Sequence, residues 1–281
     1  HSGGVQHEKP SNPTVNPVNG VKPITGIADP GDIVTVTMPD GTTASAIADA
    51  EGKFSIPNPG LKDKDQITVV ATSPEGVDSD PVTVIVDALA PAAPTVEPVN
   101  ATSPIVGHAE PHSTVTLTLP SGKTITAQVD ANGNFEIANP GLKDGDKISL
   151  TATDAADNVS AKTDVVVDGL APTLTITDDV SGIVGADGSV VFTFTFSEAV
   201  KGFDASKIKI EGGVAGDFVA VSASVYTLAV KPNLTENGEV KVHVAAGAAH
   251  DAAGNPSAAA DASQSVDPVA PPAGSLHDIV L

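Results

Sequence analysis

The oxygen-bearing side chains with chemical potential in this sequence stand in turns and linkers. Asp87 and Asp168 lie in short proline-flanked linkers, and Glu110 and Glu198 each follow an early strand-like run. Asp130 sits in a tight turn, and Asp154, Asp157, Asp251 and Asn255 sit in loops that precede a last strand. Several flexible carboxylates and amide oxygens brought together are the donor set of a hard divalent cation, Ca2+ above all. Carboxylates held that close without a cation would repel and raise one another's pKa. Asp and Asn also favour turns for local hydrogen-bonding reasons, so the alternative is a set of solvated turn residues.

Composition narrows the partners. The chain has 281 residues, 35 acidic against 14 basic, for a formal net charge of −21, and every basic residue is lysine. Phosphate neutralisation needs clustered cations, so a nucleic-acid partner is excluded, and an anionic membrane surface is disfavoured for the same reason. There is no cysteine, so rigidity must come from something other than disulfides. No apolar run is long enough to span a bilayer, so membrane insertion is not expected. The opening His1-Ser2-Gly3-Gly4 reads as a tag remnant or the edge of a larger chain.

An internal repeat organises the chain. Residues 15–91 match the residues 81 positions further on without a gap, Val15 with Val96, and about half the positions are identical. Val15-x-Pro17-Val18-Asn19 returns as Val96-x-Pro98-Val99-Asn100, and Asn58-Pro59-Gly60-Leu61-Lys62-Asp63 as Asn139-Pro140-Gly141-Leu142-Lys143-Asp144. The copies end in Val86-Asp87-Ala88-Leu89-Ala90-Pro91 and Val167-Asp168-Gly169-Leu170-Ala171-Pro172. A longer, divergent unit follows and closes with Val266-Asp267-Pro268. Expected boundaries are a tag or flexible start at 1–12, domains at 13–88, 92–169 and 171–268, and a tail at 269–281. Proline in the linkers makes them short and semi-rigid.

Within each unit, short alternating runs are separated by turn signals. In the first, Ile33–Met38 and Thr42–Ala48 flank Pro39-Asp40-Gly41, and further runs cover Lys53–Pro57, Gln66–Thr72 and Pro81–Val86. With runs near Thr14 and Pro23–Ile27 this predicts an immunoglobulin-like sandwich. In the third unit, Phe192, Phe194 and Phe196 alternate onto one face and belong to a core. The fold class is all-β, with tandem immunoglobulin-like β-sandwich domains in an elongated array. Strands of about 8 residues give roughly 40 Å per domain.

These residues resemble a known family. Ala-x-Pro at 28–30 and 109–111, Thr35-Val36-Thr37-Met38-Pro39-Asp40-Gly41, and Asp49-Ala50-Glu51-Gly52-Lys53-Phe54 look like bacterial immunoglobulin-like repeats. So does Thr153-Asp154-Ala155-Ala156-Asp157-Asn158. Phe196-Ser197-Glu198-Ala199-Val200 and Asp251-Ala252-Ala253-Gly254-Asn255-Pro256 resemble a sister type. Such repeats build large biofilm-associated and RTX-type adhesins. The resemblance implies export, a cell-surface location, a stalk or ligand-binding role, and calcium between domains. The first repeat departs from the pattern, with Ser73-Pro74-Glu75-Gly76 in place of Asp154-Ala155-Ala156-Asp157.

Alternating strands would bring Glu110, Asp130, Asp154 and Asp157 to one pole of the second unit, where the linker delivers Asp87. The same topology would bring Glu198, Asp251 and Asn255 to the pole that meets Asp168. Chemistry for catalysis is missing: no G-x-S-x-G, H-E-x-x-H or P-loop appears. His108 and His112 flank Glu110 and read as turn residues, while His1, His7 and His277 lie in the termini. Asp178, Asp179 and Asp187 are a weak glycosidase signal with no aromatic sugar platform beside them. The expected function is a non-enzymatic, calcium-rigidified spacer of a secreted, surface-held adhesin, monomeric, whose partners are neighbouring domains of the same chain. The alternative is a module that binds a host-surface or biofilm-matrix ligand (protein, glycan or a sister adhesin) through domain 3. The remaining class is an enzyme-ancillary spacer.

Overall fold

In the computed structural model, residues 8–269 are described. His1, His7, His277 and most of the expected N-terminal tag and C-terminal tail lie outside them. The chain divides into two compact units, one of residues 1–96, 105–137 and 148–164, the other of 97–104, 138–147 and 165–281.

In the first unit, alternation produces strands where it predicts them. These are β1 (Thr14–Val15), β2 (Ile24–Ile27), β3 (Ile33–Thr37), β4 (Thr43–Ile47), β5 (Lys53–Ile56), β6 (Gln66–Thr72) and β7 (Val82–Ile85). They form an antiparallel sheet β1-β2-β5 and a second sheet β4-β3-β6-β7. Ile24, Val34, Val36, Ile56, Ile67 and Val69 point inward from their strands and are fully buried between the two sheets. The repeat restates this as β8 (Thr95–Val96), β9 (Ile105–His108), β10 (Thr114–Thr118), β11 (Thr124–Gln128), β12 (Asn134–Ile137), β13 (Lys147–Thr153) and β14 (Thr163–Val166). Its sheets have the matching orders β12-β9-β8 and β11-β10-β13-β14.

One glycine shows why the repeats keep their register. A Cβ on Gly26 would lie 2.0 Å from the Thr14 carbonyl and 2.8 Å from the Phe54 ring, and one on Gly107 would meet Thr95 and Phe135 at 2.1 and 2.8 Å. Only glycine lets β1 and the phenylalanine approach β2 from both sides.

The second unit carries β15 (Leu174–Asp178), β16 (Val190–Phe196), a 3-10 turn (Ala205–Lys207), β17 (Ile208–Glu211), β18 (Gly213–Ala220), β19 (Val225–Pro232), β20 (Gly238–Val244) and β21 (Ala260–Val266). The sheets are β15-β16-β19-β18 and β17-β20-β21. Phe192, Phe194 and Phe196 are buried as the alternation requires. Phe196 meets Phe203 edge-on at 5.0 Å and Tyr226 at 6.0 Å, which fixes the core next to the loop that carries Glu198. Among the described residues, no helix is long and apolar enough to cross a membrane.

Candidate metal and joint sites

Two loops with the same local construction hold the acidic residues. In the loop after β13, Asp154 Oδ1 accepts from the backbone N–H groups of Ala156 and Asn158, both at 2.9 Å. In the loop before β21, Asp251 Oδ1 accepts from Ala253 at 3.0 Å and Asn255 at 2.8 Å. Each is a short turn that an Asp closes on itself. The asparagine at its far end then faces two ways. Asn158 Nδ2 donates to Asp154 Oδ2 (3.0 Å) and to the Asp87 carbonyl (2.8 Å). Asn255 Nδ2 donates to Asp251 Oδ2 (3.0 Å) and to the Asp168 carbonyl (2.7 Å).

The contact is reciprocal. Asn19, buried after β1, donates from Nδ2 to the Ala156 carbonyl at 2.9 Å, and Asn100, buried after β8, donates to the Ala253 carbonyl at 2.8 Å. Each keeps its side-chain oxygen for its own turn. Asn19 Oδ1 accepts from Val21 and Lys22, and Asn100 Oδ1 from Thr102 and Ser103. Each of the two joints is thus clasped by two asparagines, one from each side, whose amide groups find partners on both sides.

The second of these joints adds carboxylates. One carboxylate oxygen from each of Asp168, Glu198 and Asp251 lies within 4.8 Å of the others, the one such group of three among the described residues. Glu198 Oε1 is buried with no hydrogen-bond partner. A side-chain hydrogen bond to Asp251, burial, and the charges of Asp251 and Asp168 push the Glu198 carboxyl up to about 7. Burial works against ionisation of Asp251, but bonds from Glu198, Asn255 and the turn backbone hold it below its ordinary range. Burial raises Asp168, with the charge of Asp251 adding to it. Of the pair, Glu198 is therefore the carboxyl that holds a proton more tightly than usual and Asp251 the one that ionises more readily. At the first joint, desolvation and the Asp154 charge likewise raise Asp87.

The remaining acidic candidates lie elsewhere. Glu110 is exposed and its carbonyl accepts from Ser113, and its carboxylate does not join Asp87 and Asp154 in a group of three among the described residues. Asp130 is exposed, its Oδ1 taken up by the N–H groups of Asn132 and Asn134. Asp157 occupies a left-handed position (φ 65°) where the third unit has Gly254, and pairs with Lys22 at 3.3 Å. That geometry turns its carboxylate to the lysine, and Asn158 takes the place expected of Asp157. Sequence patterns alone also pass over Asn19 and Asn100. The signal for them is present in the shared Val-Asn of 18–19 and 99–100, and in the Asp-x-x-x-Asn spacing shared by 154–158 and 251–255.

The bacterial Ig domain family matches residues 9–88 and again 90–169, and the bacterial Ig-like domain family matches 168–267. No curated protein sequence matches significantly. Among solved structures, the chain is similar to the BSP domain of a biofilm-associated protein, at 22% identity and a TM-score of 0.27. That match covers 56% of this chain and 29% of the other, so this chain spans under a third of that relative. Fibronectin(III)-like modules of Clostridium thermocellum CbhA match at 20% identity and a TM-score of 0.31, over 56% of this chain and 94% of theirs. A three-Ig structure of titin domains matches at 12% identity and a TM-score of 0.29, over 93% of this chain and 99% of that one.

Proposed function

The chain belongs to the bacterial Ig domain family, with a bacterial Ig-like domain as its third unit, and from that premise we propose that it is a non-catalytic stalk segment of a bacterial cell-surface adhesin whose joints are stiffened by calcium. Its domains would be 13–88, 92–169 and 171–268. The observation that carries the reading is the paired clasp: Asn19 and Asn158 at one linker, Asn100 and Asn255 at the next. Buried polar side chains are expensive to place, so their use at both linkers favours a held angle over free rotation. A spacer needs that property more than any cleft.

The donor set fits a hard cation. Asp168, Glu198 and Asp251 would hold it at the second joint, and Asp87 with Asp154 would do so at the first. Glu198 Oε1, buried and unpartnered, is the orphan a cation would satisfy. A bound divalent ion supplies positive charge that removes the mutual repulsion of these carboxylates. Asp168 and Asp251 then tie the linker to the last loop of the following domain, while Glu198 gives up its proton. The reading includes a secreted, surface-held protein that supports adhesion and biofilm formation.

The test is thermal unfolding with excess calcium and with chelator, for the wild type and for Asp87→Ala with Asp168→Ala. A ligand that binds only the folded state raises the melting temperature by mass action, about 2.7 kcal/mol at a hundredfold excess over Kd. The expected result is a large rise that the double variant loses. An unchanged wild-type melting temperature would overturn the calcium reading and leave the asparagine clasps and the Lys22–Asp157 pair to hold the joints.

A further inference from the structure

The linker geometry occurs three times among the described residues, and two of the three stretches lie between matched domains. Val86-Asp87-Ala88-Leu89-Ala90-Pro91 and Val167-Asp168-Gly169-Leu170-Ala171-Pro172 are followed by Val266-Asp267-Pro268-Val269-Ala270-Pro271. In each, the valine is buried, at 1%, 1% and 3% exposure. Each aspartate N–H donates at 2.9 Å to the carbonyl of a second buried valine, Val18, Val99 and Val184 respectively. Each aspartate Oδ1 accepts, at 3.1 Å, from the N–H two residues on: Leu89, Leu170 and Val269. Asp267 is therefore held as Asp87 and Asp168 are held, in the conformation whose carbonyl takes an asparagine side chain at the two joints. Among the described residues, nothing donates to the Asp267 carbonyl.

We propose that the pole of the third domain carrying Asp267 is a docking surface for a further Ig-like domain whose last loop reads Asp-x-x-x-Asn. The asparagine amide of that loop donates to the Asp267 carbonyl, and the loop's aspartate lies beside the Asp267 carboxylate. This docking rests on reading Asp87 and Asp168 as joints, and the partner is specified by its chemistry. A second copy of this chain does not fit by its first repeat, because Ser73 and Val77 stand where the second repeat has Asp154 and Asn158.

The third surface also differs from the other two in ways that set its strength. The residue after the buried valine is Asn19 or Asn100 at the first two linkers but Gly185 here, so the return clasp is missing. Ala88 and Gly169 donate their N–H to Asp63 and Asp144 at 3.0 and 2.9 Å, whereas Pro268 has no N–H to donate. Proline instead fixes φ at that step, which limits the linker by covalent means. The new joint is one-sided: a single asparagine clasp on a stiffened linker.

The absence of cysteine makes the test clean, since introduced cysteines carry the only spin labels. A copy of residues 92–169 is joined after Pro271 of the full chain. Dipolar distances are measured between Lys241→Cys and the Lys143 position of the appended copy. The same measurement between Lys143→Cys and Lys241→Cys in the parent chain reports the existing joint. The expected result is a distance distribution at the new joint no more than about twice as wide as at the existing one. Asp267→Ala broadens it, while the melting temperature of the unextended Asp267→Ala chain stays within about 2 °C of the parent. Asp267→Asn, which keeps the carbonyl and the turn, leaves it narrow in chelator. Appending residues 9–88 instead gives a broad distribution. A broad distribution with the second repeat appended, or one indifferent to Asp267→Ala, overturns the proposal alone. A broad distribution at the existing joint overturns it together with the reading it rests on.

Discussion

Glu198→Gln should change sign with calcium, and that reversal is the sharpest consequence of the Asp168–Glu198–Asp251 group. In chelator, the Glu198 carboxyl sits at about 7 against an ordinary 4.5. An acid whose folded pKa is raised holds its proton more tightly when folded. Its cost to stability sets in as pH rises past the unfolded value of 4.5 and is complete above about 7. At about 1.4 kcal/mol per decade, that full cost approaches ~3 kcal/mol, and partial solvent exposure reduces it to about 1–3 kcal/mol. Glutamine mimics the protonated acid and carries no such cost. At pH 9 in chelator the variant should therefore be more stable than the wild type by about 1–3 kcal/mol, or ~4–15 °C for a domain near 100 residues. At pH 4 the two should coincide. In saturating calcium the variant lacks one of the ionised ligands and should melt below the wild type. Tyr226 is the one tyrosine, there is no tryptophan, and the residue is buried in the third domain's aromatic cluster, so its fluorescence follows this domain alone. A Glu198→Gln effect of the same sign in chelator and in calcium would refute the reasoning.

Other consequences are local. Asp32 is 3% exposed with Oδ2 unpartnered, and burial, then the charges of Asp29 and Glu75, raise its carboxyl. The second repeat has Ser113 there, whose Oγ donates to the Glu110 carbonyl at 2.6 Å. Asp32→Ser should stabilise the first repeat by about 1–3 kcal/mol at pH 7 in denaturant titrations. Because the folded value lies above 3.8, that gain should shrink as pH falls and vanish below 3.8. Asn100→Ala strips the Ala253 carbonyl of its donor and the Thr102 and Ser103 N–H groups of their acceptor. It should cost about 2–3 kcal/mol and speed amide exchange at Thr102 and Ser103. Gly107→Ala drives a methyl into the Thr95 carbonyl and the Phe135 ring. A loss of about 3 kcal/mol or more in the second repeat's unfolding free energy is expected.

Much of this protein is legible in one dimension because β-structure with a single buried face writes itself as alternation. Ile33–Thr37 and Val190–Phe196 turn every second residue toward the core, and the alternation of residue types alone states which ones. The repeat is legible for the same reason: Gly26 and Gly107, Phe54 and Phe135 recur because the same close approach recurs. The linker aspartates and the last-loop turns are also legible as oxygen-rich elements. What sequence does not decide is which oxygen faces which. Asp130, Asp154 and Asp251 all read as acidic turn residues, yet Asp130 spends its carboxylate on its own turn while Asp251 lies against Glu198. Asp157 and Asn158 are neighbours in the chain, but a left-handed φ sends one to Lys22 and leaves the other to clasp Asp87. Local propensity determines that a turn forms, since its hydrogen bonds lie within a few residues. The direction a turn's side chains take is set by contacts between residues far apart in sequence, such as Asn158 with Asp87 and Asn100 with Ala253, and only the folded chain brings those groups within a hydrogen bond of each other.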